Sequence, residues 1–178
     1  MMVLIYCLPL SVILLFMTMA VTIWKEVDSA LSPYPRAILG WKHTNLLLAL
    51  LSIGLVFYST VFTRTTDVRE INLIPFHFIS RIPTDNEAIR TVLMNLFLFF
   101  PLGLTAGRGL REKCSPGKRV LLITLFGVLL SATVEILQYT YSLGRVEADD
   151  LIANTAGALI GALALAIGEK RKESGMVN

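Results

Sequence analysis

Five apolar stretches that cut this chain into membrane-length pieces leave it little choice of architecture. Crossing about 30 Å of hydrocarbon takes roughly 20 residues of helix. Inside lipid every backbone polar group must be satisfied within its own segment, and a continuous apolar run does this as a helix. The runs cover residues 2–24, 44–62, 91–107, 120–140 and 151–168. The first has no basic residues before it and no clear small-residue cleavage site after it, so it is expected to be a retained span. With 178 residues, 54% hydrophobic content, 16% charge and a mean hydropathy of +0.67, an ordinary soluble globule is excluded. A single all-α domain is expected over residues 1–178, a polytopic bundle of five transmembrane helices.

The basic residues orient that bundle. Lys25, Arg36, Lys42, Arg108, Arg111, Lys113, Lys118, Arg119, Lys170, Arg171 and Lys172 fall on one side, eleven of the chain's 16. Arg64, Arg69, Arg81, Arg90 and Arg145 make five on the other. The positive-inside rule then puts the N-terminus outside and the C-terminus inside. It also accounts for the net charge of +3 without nucleic acid, which is not expected as a partner. Cys7 lies in an apolar run and Cys114 in a basic loop, so neither a disulfide framework nor a zinc site is expected.

Small residues at Ala153, Gly157 and Gly161 recur every four positions and allow another helix to approach closely. Pro101 with Gly103 predicts a kink in the third span. Trp24, Trp41 and Tyr58 fit an interfacial belt. The run Phe97, Phe99, Phe100 fits core or lipid contact.

The informative residues are polar ones placed where polarity is expensive, because charge in a membrane span normally marks a site. At a rise of 1.5 Å per residue, Asn95, Glu135 and Asn154 each lie roughly 7 to 8 Å below the outer ends of their helices. Glu135 and Gln138 share one face of the fourth helix, with Ser131 a turn deeper, and Asp150 and Asn154 share one face of the fifth. The outward connections add Asn72, Pro75, Phe76 and His77 from one loop, and Arg145, Glu147, Asp149 and Asp150 from another. The segment near 71–80 is too apolar for a free loop and is expected to be interfacial or re-entrant. Asp149 also suits the N-cap of the fifth helix.

Asn72-Leu73-Ile74-Pro75-Phe76, Asn95 through Pro101-Leu102-Gly103, Glu135-Ile136-Leu137-Gln138, and Gly144-Arg145 through Asp149-Asp150 to Asn154 and Gly157 together resemble the VanZ-like family. The resemblance covers residues 45–168, with 2–24 as an extra span. It implies a small multispanning protein of the bacterial cytoplasmic membrane, in a family whose name-giving member is associated with resistance to the glycopeptide teicoplanin. Carried over by position, the family's polar signature falls on Asn72, Asn95, Glu135, Gln138, Arg145, Asp149, Asp150 and Asn154. Glu147 stands where the family usually has an Asp, and Val146 where an aromatic often precedes it.

Four readings of these residues remain open. The polar groups form an interhelical network that holds the bundle together. They line a pocket for a lipid headgroup or lipid-linked cell-wall precursor, with Asn72, Asn95, Gln138, Arg145 and Asn154 binding it. They form an intramembrane hydrolase or transferase with Glu135, Asp149 and Asp150 as catalytic groups. They serve a small proton-coupled transporter, for which inverted repeats are not visible. No GxSxG, HExxH, P-loop or nucleophilic-cysteine pattern occurs, and no cofactor or resident metal is expected, although hard cations do favour the oxygen ligands of an acidic turn.

Overall fold

The computed structural model describes residues 41–62, 64, 68–82, 85, 87–111 and 113–175. The expected span at 2–24 lies outside the described residues. Among the described residues, four helices are long and apolar enough to cross a membrane. They are α1 (Trp41–Phe57), continued by a π-helical turn at Tyr58–Phe62, then α3 (Glu87–Gly109), α4 (Pro116–Thr140) and α5 (Ala148–Gly175). A short helix, α2 (His77–Arg81), precedes α3.

Each spanning helix follows from its sequence. α4 starts with Pro116 at its first turn, where the missing N–H costs nothing. α3 stays helical through Pro101, and the Thr105 hydroxyl donates to the Pro101 carbonyl at 2.8 Å. α4 is apolar on nearly every face, leaving Leu121, Leu125, Leu129 and Ile136 exposed. α1 likewise exposes Leu46, Leu47, Leu50 and Leu51. In water such surfaces would be a liability; in a bilayer they are the lipid contact.

The core lies where all four long helices meet, around Val56, Leu98, Phe99, Leu102, Leu130, Val134 and Ala158. The most extensive interface joins α3 to α5. It depends on the small-residue stripe. A Cβ added at Gly157 would stand 2.2 Å from the Leu96 carbonyl oxygen, and one at Gly161 would stand 2.3 Å from that of Phe100. α3 answers with its own Gly103, packed against the Ala158 carbonyl. Backbones this close maximise dispersion contact where no hydrophobic driving force acts between helices.

The expected all-α architecture needs one addition. Strands β1 (Val68–Asn72) and β2 (Leu143–Glu147) form a two-stranded parallel ribbon, with Glu70 opposite Arg145 and Asn72 opposite Glu147. Parallel pairing requires a crossover connection. α3 and α4 supply it, because two consecutive spans carry the chain away and back to the same end. The ribbon therefore sits where α1 ends, α3 begins, α4 ends and α5 begins.

The segment near 71–80, expected to be interfacial or re-entrant, is the end of β1, a turn and α2. Phe76 takes the left-handed conformation, with φ 59°, reversing the chain just before α2. Ile71, Leu73, Ile74, Phe76 and Ile79 are all exposed, giving this end of the molecule an apolar tip.

Candidate functional site

Beneath the ribbon, polar side chains from three helices meet in the buried interior. Asp150, in the first turn of α5, accepts a hydrogen bond at Oδ1 from Nδ2 of Asn95 on α3, at 2.7 Å. One turn along α5, Asn154 donates from Nδ2 to the Ser131 hydroxyl on α4, at 2.9 Å. Glu135 lies one turn from Ser131, and its Oε2 accepts the backbone N–H of Glu147 at 3.3 Å. All five side chains are buried. The three residues expected at a common level, Asn95, Glu135 and Asn154, thus connect through Asp150, Ser131 and the β2 backbone and not through direct contacts with one another. The Glu135 and Asp150 carboxylates are close enough to interact electrostatically, and Arg64 acts on both.

Helical spacing explains this arrangement. Asp150 and Asn154 occupy one face of α5, the face that continues into Gly157 and Gly161, so both are directed at protein. Ser131 and Glu135 occupy one face of α4 in the same way. An unpaired amide or carboxylate in an apolar interior costs several kcal/mol, and each of these side chains makes at least one hydrogen bond, although the buried Asn154 Oδ1 has no partner among the described residues.

The remaining candidate residues take other positions. Gln138 is buried, but its Nε2 donates to the Thr60 carbonyl at 2.9 Å, tying α4 to the π-helical end of α1. A helix end leaves carbonyls without intrahelical partners, and Gln138 supplies one donor. Asp149 does not cap α5. Its Oδ2 accepts the backbone N–H of Phe78 at 2.7 Å, so it serves the first turn of α2, which the reversal at Phe76 turns toward it. Its Oδ1 is buried without a hydrogen-bond partner among the described residues. Asn72 holds its own loop: Oδ1 accepts the N–H of Ile74 at 3.2 Å, and Nδ2 lies 2.8 Å from His77 Nδ1. Arg145 is 54% exposed and pairs with Glu70, its register partner across the ribbon, at 2.5 Å.

Two clefts open beside this network. One, of about 160 Å³, is bordered by Arg64, Arg81 and Arg145 and by Asp85, Glu147 and Asp150. The other, of about 390 Å³, is bordered by Asn72, His77, Glu70 and Ile71 and shares Arg81, Arg145 and Glu147 with the first. Arg81 and Glu147 form an ion pair at 3.0 Å between them. Among the described residues no group of three or more His, Cys, Asp or Glu side chains is placed to hold a metal ion.

Arg64 and Arg81 are the site residues that sequence reasoning passed over. Both entered it only as charges that orient the bundle. A usable signal existed: Arg64 follows directly on the second span, and Arg81 follows directly on the apolar tip, so each is anchored at the level where α5 begins.

Three comparisons bear on this arrangement. The VanZ/LLP1 family model matches residues 45–168, which include every residue of the network and both clefts. Protein VanZ of Enterococcus faecium is 30% identical over 93 residues, which are 52% of this chain and 50% of that protein. The chain therefore spans about half the length of the curated relative it matches. No solved structure matches.

Proposed function

From the premise that this chain belongs to the VanZ/LLP1 family, we propose that it is a multispanning protein of the bacterial cytoplasmic membrane that binds a lipid headgroup or lipid-linked cell-wall precursor in the ribbon-end cleft. The family is linked to resistance to glycopeptides such as teicoplanin, and that is the role proposed for this chain. The observation that carries the reading is the cleft wall itself, where Asp150, held by Asn95, stands beside Arg64, Arg81 and Arg145 next to an exposed apolar tip. Headgroup chemistry meets the charged wall while acyl chains meet Leu73, Ile74 and Phe76. A fifth span at 2–24, with the N-terminus and the cleft on the outer side, completes the proposed topology and rests on the eleven-to-five division of basic residues.

A second reading, an intramembrane hydrolase or transferase acting on the same lipid, draws on the proximity of Glu135 and Asp150. Two neighbouring carboxyl groups suit proton exchange between acid and base forms.

Glu135→Gln and Asp150→Asn test both readings. Each is expected to abolish glycopeptide protection in a host that depends on the protein while leaving its membrane level unchanged. Loss of the protein itself would count against a site and for a purely structural network. Retention of a labelled lipid precursor without conversion by the purified protein favours binding, and turnover favours the enzyme.

A further inference from the structure

We infer that the ribbon-end cleft recognises a zwitterion, a phosphodiester followed within a few atoms by a primary ammonium. The ammonium is directed to Asp150 and Glu147, and the phosphate to Arg64 and Arg145. This deepens the proposed headgroup reading and rests on it.

The charge inventory of the site motivates the inference. Three guanidinium groups, of Arg64, Arg81 and Arg145, and three carboxylates, of Asp85, Glu147 and Asp150, border the smaller cleft. Glu135 and Asp149 add two more buried carboxylates. Of the four acidic residues buried here, Glu147 is ion-paired, to Arg81. Glu135, Asp149 and Asp150 have hydrogen bonds to a backbone N–H or an amide and no ion pair among the described residues. Arg145 meanwhile leans on Glu70 across the ribbon. A purely anionic ligand would satisfy the arginines and worsen the carboxylate excess. A simple cation would do the reverse. A ligand with both charges complements both kinds of group.

The cationic end is further specified by what borders the clefts. A divalent metal would need several oxygen ligands converging on one point, and no such convergence occurs among the described residues. A quaternary ammonium has no N–H to donate and is characteristically held against the faces of Trp, Tyr or Phe. Among the described residues, neither cleft is bordered by any of these three rings. A primary ammonium offers three donors, which carboxylate oxygens accept in strong charge-assisted bonds.

The same zwitterion can arrive as an ethanolamine lipid headgroup or as free phosphoethanolamine. The larger cleft reaches Asn72 and His77, beside the exposed Leu73, Ile74 and Phe76, which is where attached acyl chains would lie.

The test uses the purified full-length chain in nanodiscs of equal parts phosphatidylethanolamine, phosphatidylcholine and phosphatidylglycerol, with retained lipid read by native mass spectrometry. The ethanolamine lipid is expected to be retained about tenfold over the other two, the size of one lost charge-assisted hydrogen bond. Replacing it with its mono- and dimethyl derivatives should lower retention stepwise. Asp150→Asn should bring ethanolamine retention down to the glycerol level. Arg145→Gln, at an exposed position that does not threaten folding, should weaken ethanolamine and glycerol lipids alike. Equal retention of ethanolamine and glycerol lipids, or of ethanolamine and choline lipids, overturns the zwitterion and leaves headgroup binding standing. Retention of none of the three overturns both. Displacement of the lipid by equimolar phosphoethanolamine supports the zwitterion and assigns recognition to the headgroup; failure to displace it, with ethanolamine preference intact, supports it with the acyl chains contributing.

Discussion

The two ends of the helical bundle both bury charge, and they balance it differently. At the end where α3 turns into α4, Arg119 is 1% exposed and paired with Glu169, which Arg111 also approaches at 3.2 Å. Two cations surround one carboxylate, and all three groups belong to this chain. At the ribbon end Glu135, Glu147, Asp149 and Asp150 are buried beside two clefts, and among the described residues a single ion pair involves them, between Glu147 and Arg81. Charge matched inside the fold serves the fold. On the proposed reading, carboxylates in excess beside an open cleft are complemented from outside, by protons or by a ligand.

The largest effect is expected where buried charge is paired within the chain. Arg119→Met leaves Glu169 without its buried partner and should cost about 3 to 5 kcal/mol of stability. Thermal unfolding in detergent measures it, and Arg119→Met combined with Glu169→Leu should recover most of the loss. If the single substitution is neutral, the closed end is not held by its charge and the contrast between the ends disappears.

Gly157→Ala tests the seam that connects the two ends. Its new Cβ meets the Leu96 backbone at 2.2 Å, and backbone cannot yield as a side chain can, so about 1 to 3 kcal/mol is expected from overpacking. The shift should also separate Asn95 from Asp150, since both lie on the same α3–α5 interface. A variant with lowered stability and an unchanged phenotype would show that the cleft tolerates movement of α5.

Glu135→Gln should cost less than about 1 kcal/mol, because the amide oxygen still accepts the Glu147 N–H and interhelical hydrogen bonds in membranes contribute about 0.6 kcal/mol on average. Loss of protection at preserved thermal stability is the expected pair of readings. A large stability loss would make the ribbon end as structural as the other.

Legibility in the sequence followed the range over which each interaction acts. The four described spans were visible because continuous apolar runs need no knowledge of partners. Their ends were less so: α3 begins at Glu87, ahead of the expected 91, because its charged first turn is satisfied at the surface by the Glu87–Arg90 pair at 2.7 Å. The stripe at Gly157 and Gly161 was readable, though not that its partner would be α3. The parallel ribbon was not readable, since Val68–Asn72 and Leu143–Glu147 are five residues each and find one another across two intervening spans. The same distance hid the hydrogen bond from Phe78 to Asp149 and the one from Gln138 to Thr60, where local rules assign a cap and a pocket amide. Arg119 was read as an orienting charge because nothing adjacent to it in sequence is acidic; Glu169 reaches it from the last apolar helix.

The smallest effect should come from Arg145→Gln. Arg145 and Glu70 are more than half exposed, and an exposed ion pair contributes at most about 1 kcal/mol and often nothing measurable once salt screens it. The backbone pairing of β1 with β2 does not depend on either side chain, so the ribbon should remain, with a change in thermal stability within about 0.5 kcal/mol. Protection should nonetheless fall, because Arg145 borders both clefts and supplies positive charge that Gln cannot replace. Glu70→Gln gives the matching comparison: it removes the same ion pair but keeps the guanidinium, and since Glu70 borders only the larger cleft, protection should fall less than with Arg145→Gln. If both substitutions act alike, the ion pair and not the free cation matters, and the ribbon end would resemble the closed end after all.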